Sequence, residues 1–156
     1  MDIEAKIKKQ DRFFLYILPA FFAGLSAYVF IRLDFDPVSL IMVIPFSLMA
    51  LFFHLKHKAN TSFKEMKTVG NKSVYDKCKE IARSNGWELL VTEEEQLIIA
   101  HTKGSWRSWG ELVTFKFQGD LLLVNSRPSP FKKASIVTWG KNRINLKAVE
   151  AAVTSG

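Results

Sequence analysis

Two uncharged apolar runs near the start of the chain limit what it can fold into. Phe13 to Ile31, FFLYILPAFFAGLSAYVFI, has roughly the length that crosses a bilayer core as a helix. The turn RLDFDP follows, and then a shorter run from Val38 to Phe53, VSLIMVIPFSLMALFF. This second run reaches spanning length once Pro37 and the His54–Leu55 flank are counted and the end residues snorkel. Asp36 before Pro37 is a helix-start signal: the carboxylate takes orphan amide protons, and proline tolerates the first helical position. A turn this short forces the helices antiparallel, so a transmembrane hairpin is expected over 13–32 and 37–55, after an N-terminal flank of 1–12. A cleaved signal peptide fits worse. The apolar core is too long, no small-x-small site precedes the next charges, and a second apolar run follows at once.

Lysines and arginines set the expected orientation. The N-terminal flank holds Lys6, Lys8, Lys9 and Arg12, the turn holds Arg32, and Lys56, Lys58, Lys64 and Lys67 follow the second run. The positive-inside rule then places both termini in the cytoplasm. Neither run contains Asp, Glu, Lys or Arg, the residues that usually mark ion and proton pathways, so a carrier is not expected. Ala20, Ala23, Gly24 and Ala27 form a small-residue face suited to close helix packing. It serves either the chain's own second helix, a homo-oligomer or a partner membrane protein.

The net charge of +7 is unevenly spread: residues 1–12 contribute +1, the turn −1, and residues 54–156 the remaining +7. A basic domain of this kind is drawn to anionic lipid, nucleic acid or an acidic partner. The single cysteine, Cys78, excludes an intramolecular disulfide and reads as a small buried hydrophobe. Residues 56–72 are basic, polar and short of large apolar groups, and read as a juxtamembrane linker. His54 and His57 have no Cys, Asp or third His nearby to complete a metal site.

From residue 73 to 156 the pattern is that of an α+β domain. Ser73 is the expected N-cap with Asp76 behind it, Val74, Cys78, Ile81 and Ala82 share a face, and Asn85–Gly86 stops the helix. Strands are expected at 87–92 with Trp87, Leu89 and Val91 inward, at 97–102, at 111–118 with Val113, Phe115 and Phe117 inward, and at 121–126. Gly119–Asp120 is a hairpin turn, SIVTW a short extra strand, and 144–153 a helix starting near Gly140 or Lys141. The order α-β-β-β-β-α implies an antiparallel sheet with both helices on one face.

Gly86-Trp87-Glu88, Asn125-Ser126-Arg127 with Ser129, and Gly140-Lys141-Asn142 together resemble the bacterial family known as domain of unknown function 1499. The likeness covers about residues 73–153 and none of the hairpin. It departs from the family at two places, where WGELVTF stands for paired aspartates and VTWG for SDLG. The resemblance implies an α+β fold and brings no established chemistry, while the two apolar runs and their flanking charges give the expected setting, a bacterial inner membrane.

No G-x-S-x-G elbow, Walker loop, dinucleotide fingerprint, H-E-x-x-H or cysteine-rich metal spacing occurs. No catalytic residue, cofactor or metal is therefore expected. An enzyme acting on lipid or an envelope precursor would need a cleft joining His101 with Glu111 or Asp120. In KGSWRSWGE, Trp106 and Trp109 flank Arg107, a combination suited to headgroups or to a partner. In the stretch from Asn125 to Ile144, Arg127, Lys132 and Lys133 are the expected contacts for an anionic surface. The leading expectation is a membrane-anchored, non-enzymatic binding module. An accessory subunit assembled through the hairpin is the alternative, and nucleic-acid binding trails because the basic residues are not gathered on one element.

Overall fold

The computed structural model describes residues 3–33, 36–37, 40–68, 71–104, 109–129 and 140–154. They form an α+β fold with four helices and a five-stranded antiparallel sheet. The chain divides into two compact units, Met1–Ala59 and Asn60–Gly156.

The first unit is built from α1 (Ile3–Arg32) and α2 (Leu40–Thr61). Helix α1 runs unbroken from Ile3, so residues 3–12 of the expected flank are helical. Helix α2 is described from Leu40, and the Asp36 amide closes a turn back onto the Leu33 carbonyl. Ring centroids of Phe22 and Phe53 lie 5.3 Å apart, and Ser26 shares a 2.9 Å hydrogen bond with Ser47. Numbers rise on one helix as they fall on the other, so the helices run antiparallel. Their outward side chains are bare: Ile41 is 74% exposed, and no described residue of α2 is buried. Among the described residues α2 alone is long and apolar enough to cross a membrane, while the described apolar stretch of α1, Tyr16–Arg32, is shorter.

The second unit corrects the expected linker. Residues 56–61 are the last turns of α2, Lys64–Lys67 is a strand (β1), and α3 already begins at Asn71. Ser73 therefore sits inside the first turn of α3 (Asn71–Ser84) rather than capping it. The helix ends as Asn85–Gly86 predicts: Gly86 has φ +65, its amide reaches the Arg83 carbonyl and the Trp87 amide reaches Ala82. This is the paired closure of a glycine C-cap.

Four further strands follow: β2 (Glu88–Glu93), β3 (Leu97–His101), β4 (Glu111–Gln118) and β5 (Leu121–Pro128), then α4 (Lys141–Thr154). The expected strand at SIVTW lies outside the described residues. Gly119, φ +58, leads the two-residue β4–β5 turn, where a glycine-first hairpin needs positive φ. The sheet order is β1-β5-β4-β3-β2, with β1 added at an edge that the sequence does not announce. Leu89 faces Ala100 but Val91 faces Ile99, so a bulge falls between them. The bulge turns Val91 to the opposite face from Leu89, where simple alternation puts both inward.

One face of the sheet carries Met66, Ile98, Ala100, Val113, Phe115, Phe117, Leu122 and Val124. Val74, Tyr75, Cys78, Ile81 and Ala82 of α3 close it, together with Trp87 and with Leu146 and Val149 of α4. Both helices thus pack on one face, as the pattern implies. The opposite face is not a wet one. Leu97, Ile99, Leu112 and Thr114 are buried there, although Thr114 reads as an outward position. Cys78 is fully buried, and burial pushes its thiol up from 9.0 to about 12.

Candidate functional site: a buried polar frame under two loops

Antiparallel pairing brings the end of β3, the start of β4 and the end of β5 to one end of the sheet. The β3–β4 loop and the β5–α4 loop, which hold the two basic stretches singled out above, therefore leave from the same end. Their described roots are bonded together, since the Ser129 amide donates to the Gly110 carbonyl at 3.0 Å.

Beneath these roots lies a polar frame. Glu111 is fully buried. Its carboxylate accepts from the Thr102 hydroxyl at 2.6 Å, and its amide donates to the same hydroxyl at 2.8 Å. The backbone joins in, because the Thr102 amide donates to the Glu111 carbonyl at 2.8 Å. A buried carboxylate is tolerable only with such partners. Gly110 makes the fit possible. At φ +102, a Cβ there would stand 2.7 Å from the Thr102 carbonyl oxygen and 2.8 Å from His101 Cε1.

The other half of the frame ties in β5 and α4. Asn145 donates to the Ser126 hydroxyl at 3.0 Å, which fixes the first turn of α4 against the strand. Asn125 points to the opposite face, where its amide donates to the carbonyls of Asn60 at 2.9 Å and Ser62 at 2.6 Å. The chain thus enters the second unit towards this end, and β1 runs from there to the far end.

The two ends of the sheet carry different charge. The far end has Glu93, Glu94 and Glu95 at the β2–β3 turn and Asp120 at the β4–β5 turn, against Lys67 opposite Leu121 and Lys116 opposite Leu97. Burial, then the charges of Glu94 and Asp76, push the Tyr75 hydroxyl above its ordinary value. The loop end has Arg83, Lys103, Lys141 and Arg143, with Glu88 as its exposed acid and Glu111 sealed inside. Arg83, Trp87, Glu88, His101 and Lys103 line an open cavity of about 350 Å³ there.

The expected site residues divide accordingly. Trp109 is at the loop end and 55% exposed. Arg127 is buried at 8% and stands opposite Leu112 in the sheet. Trp106, Arg107, Lys132 and Lys133 lie outside the described residues. His101, Glu111 and Arg127 do gather at one end, while Asp120 is at the other. Strand alternation sends His101 and Glu111 to opposite faces of the sheet. Ala23 and Ala27 line a groove of about 420 Å³ with Ser47 and Ala50 of α2, whereas a Cβ on Gly24 would meet nothing within 4 Å. Among the described residues, no group of three or more His, Cys, Asp or Glu is placed to hold a metal ion.

Thr102, Gly110 and Asn145 are frame residues that the sequence reading passed over, as was the exposed Ile144. The glycine between Trp109 and Glu111 is the one signal that could have marked them. Comparison with protein-family profiles, curated proteins and solved structures finds no match.

Proposed function

We propose that the chain is a membrane-anchored binding module, in which α1 and α2 form a transmembrane hairpin and the basic α+β unit works at the cytoplasmic face of a bacterial inner membrane. The observation that carries this reading is the bare apolar surface of the helix pair. Side chains such as Phe21, Ile41, Leu48 and Phe52 are more than half exposed on the described faces of the two helices. Water does not tolerate an apolar surface that continuous, and lipid does. The module reading rests on the frame, whose hydrogen bonds serve to hold two basic loops at one end. The family likeness is part of the same proposal, since Asn125 and Ser126, which carry it, are frame residues.

Alkaline carbonate extraction of membranes tests the anchor. The full chain is expected in the pellet with the lipid, and release into the supernatant would overturn the reading. Cysteine substitutions on the 33–37 turn, labelled from outside intact cells, test the orientation. Labelling there, with none at a cysteine placed after residue 60, is expected.

A second reading, an accessory subunit assembled through the hairpin, is favoured by the open space at Gly24 and by the groove beside Ala23 and Ala27. Gly24→Leu together with Ala27→Leu is then expected to abolish co-purification of a membrane partner. Unchanged co-purification would remove this reading.

A further inference from the structure

In the second unit, four large apolar side chains stand exposed among the described residues: Phe63, Trp109, Leu121 and Ile144. Two of them, Trp109 at 55% and Ile144 at 54%, belong to the loop end. Trp109 precedes Gly110, whose carbonyl is bonded to Ser129. Ile144 precedes Asn145, which is bonded to Ser126. Both are thus held on the frame rather than on free chain. Lys103, Lys141 and Arg143 belong to the same end, and the acidic residues of the strand turns are at the far end.

Exposed tryptophan and isoleucine among cations is a poor surface for water. It is a good one for the boundary of an anionic bilayer, where indole sits at headgroup level, isoleucine reaches the acyl chains and basic side chains meet phosphates. We infer that the loop end of the second unit is a membrane-insertion face: Trp109 and Ile144 enter an anionic lipid surface while Lys141, Arg143 and Lys103 pair with its phosphates. This deepens the proposed function and rests on its membrane setting. It says which end of the domain meets lipid, and that the contact is partly apolar rather than electrostatic alone. The charge contrast between the two sheet ends selects anionic lipid over a basic partner, and the exposed indole selects a bilayer over a soluble polyanion.

The test uses the full chain reconstituted in liposomes of phosphatidylcholine alone or mixed equally with phosphatidylglycerol. Fully buried Cys78, with its thiol held protonated, leaves an introduced cysteine as the reactive one. Ile144→Cys, and Leu121→Cys at the far end as control, are labelled with an environment-sensitive fluorophore. In the anionic liposomes the probe at 144 is expected to shift to the blue and to be quenched by brominated acyl chains, while the probe at 121 is not. The shift should shrink in phosphatidylcholine alone and be lost when Lys141→Glu and Arg143→Glu are added. The unsubstituted chain gives an independent reading. Brominated lipid should quench part of its tryptophan emission, and Trp109→Phe should remove that part. Equal emission from both probes, a shift that survives the charge reversals, or quenching unchanged by Trp109→Phe would each overturn the inference. A chain that resists carbonate but shows no shift at 144 sinks this inference alone, whereas a chain released by carbonate sinks the proposed function.

Discussion

The two units of the chain hide opposite things. In α1 and α2 the apolar side chains point outward and a hydroxyl pair, Ser26 with Ser47, is turned inward between the helices. In the α+β unit Phe115 is fully buried, as is Glu111, which is kept company by Thr102. An exposed Ile41 and a buried Phe115 in one chain are what the proposed transmembrane setting of the helix pair expects, since water drives apolar groups inward and lipid does not. In lipid, polar groups gather inward and apolar groups carry no penalty for facing out. In water, the reverse holds, and a buried charge survives only inside a complete hydrogen-bond set.

The sharpest test of this contrast pairs one substitution from each unit. Phe115→Ala should cost about 4 kcal/mol, by loss of burial and creation of a cavity. Ile41→Ala, on a side chain that is 74% exposed, should stay within about 0.5 kcal/mol in detergent. Denaturant unfolding of the purified full chain, followed by circular dichroism, measures both, and similar losses at the two sites would break the comparison. Gly110→Ala comes next, with an expected loss of about 3 kcal/mol, since a Cβ there meets backbone and imidazole at a φ that only glycine adopts easily. A normal melting temperature for that variant would mean that the frame is looser than its distances say.

Alkali tests the same interior without a substitution. The Cys78 thiol is raised from 9.0 to about 12 in the folded chain, so between those values the unfolded chain releases a proton that the folded one keeps. Stability is therefore present in full below pH 9 and falls as pH rises towards 12. Cys78→Ala should flatten that slope. Thr102→Val, which takes the hydroxyl from Glu111, is expected to cost about 2 kcal/mol by leaving a buried carboxylate short of a donor. A smaller effect, above only that of Ile41→Ala, should come from the first unit. Ser26→Ala removes two interhelical hydrogen bonds, to the Ser47 hydroxyl at 2.9 Å and to the Val43 carbonyl at 3.3 Å, and such bonds between membrane helices are worth about 0.6 kcal/mol each. A larger loss there than at Thr102 would reverse the comparison.

How legible each part was in the sequence follows from how local its causes are. Strand β4 is readable residue for residue because Val113, Phe115 and Phe117 alternate with polar neighbours. The stop at Gly86 is readable because one residue's backbone freedom decides it. Strand β1 is not, because KEMK has a single apolar residue, and its conformation comes from backbone pairing with β5 some sixty positions later. Burial of Thr114 and Leu112 escapes too, since alternation says which side chains share a face but not whether that face is wet. In the candidate site, Asn125 and Ser126 stand out in the sequence by the family likeness, but their partners at Asn60, Ser62 and Asn145 are matters of tertiary contact. The burial of Arg127 is not legible for the same reason: its charge suggests a surface, and its place in the strand puts it at 8% exposure.

The sheet's two margins have one more consequence. On one side it ends in a strand of four residues with lysine at both ends, and on the other in a strand broken by a bulge. Short, charged and bulged margins are poor templates for a further strand. Copies of this domain crowded together should therefore remain separate molecules instead of zipping edge to edge into fibres, which keeps each copy's loops individually available.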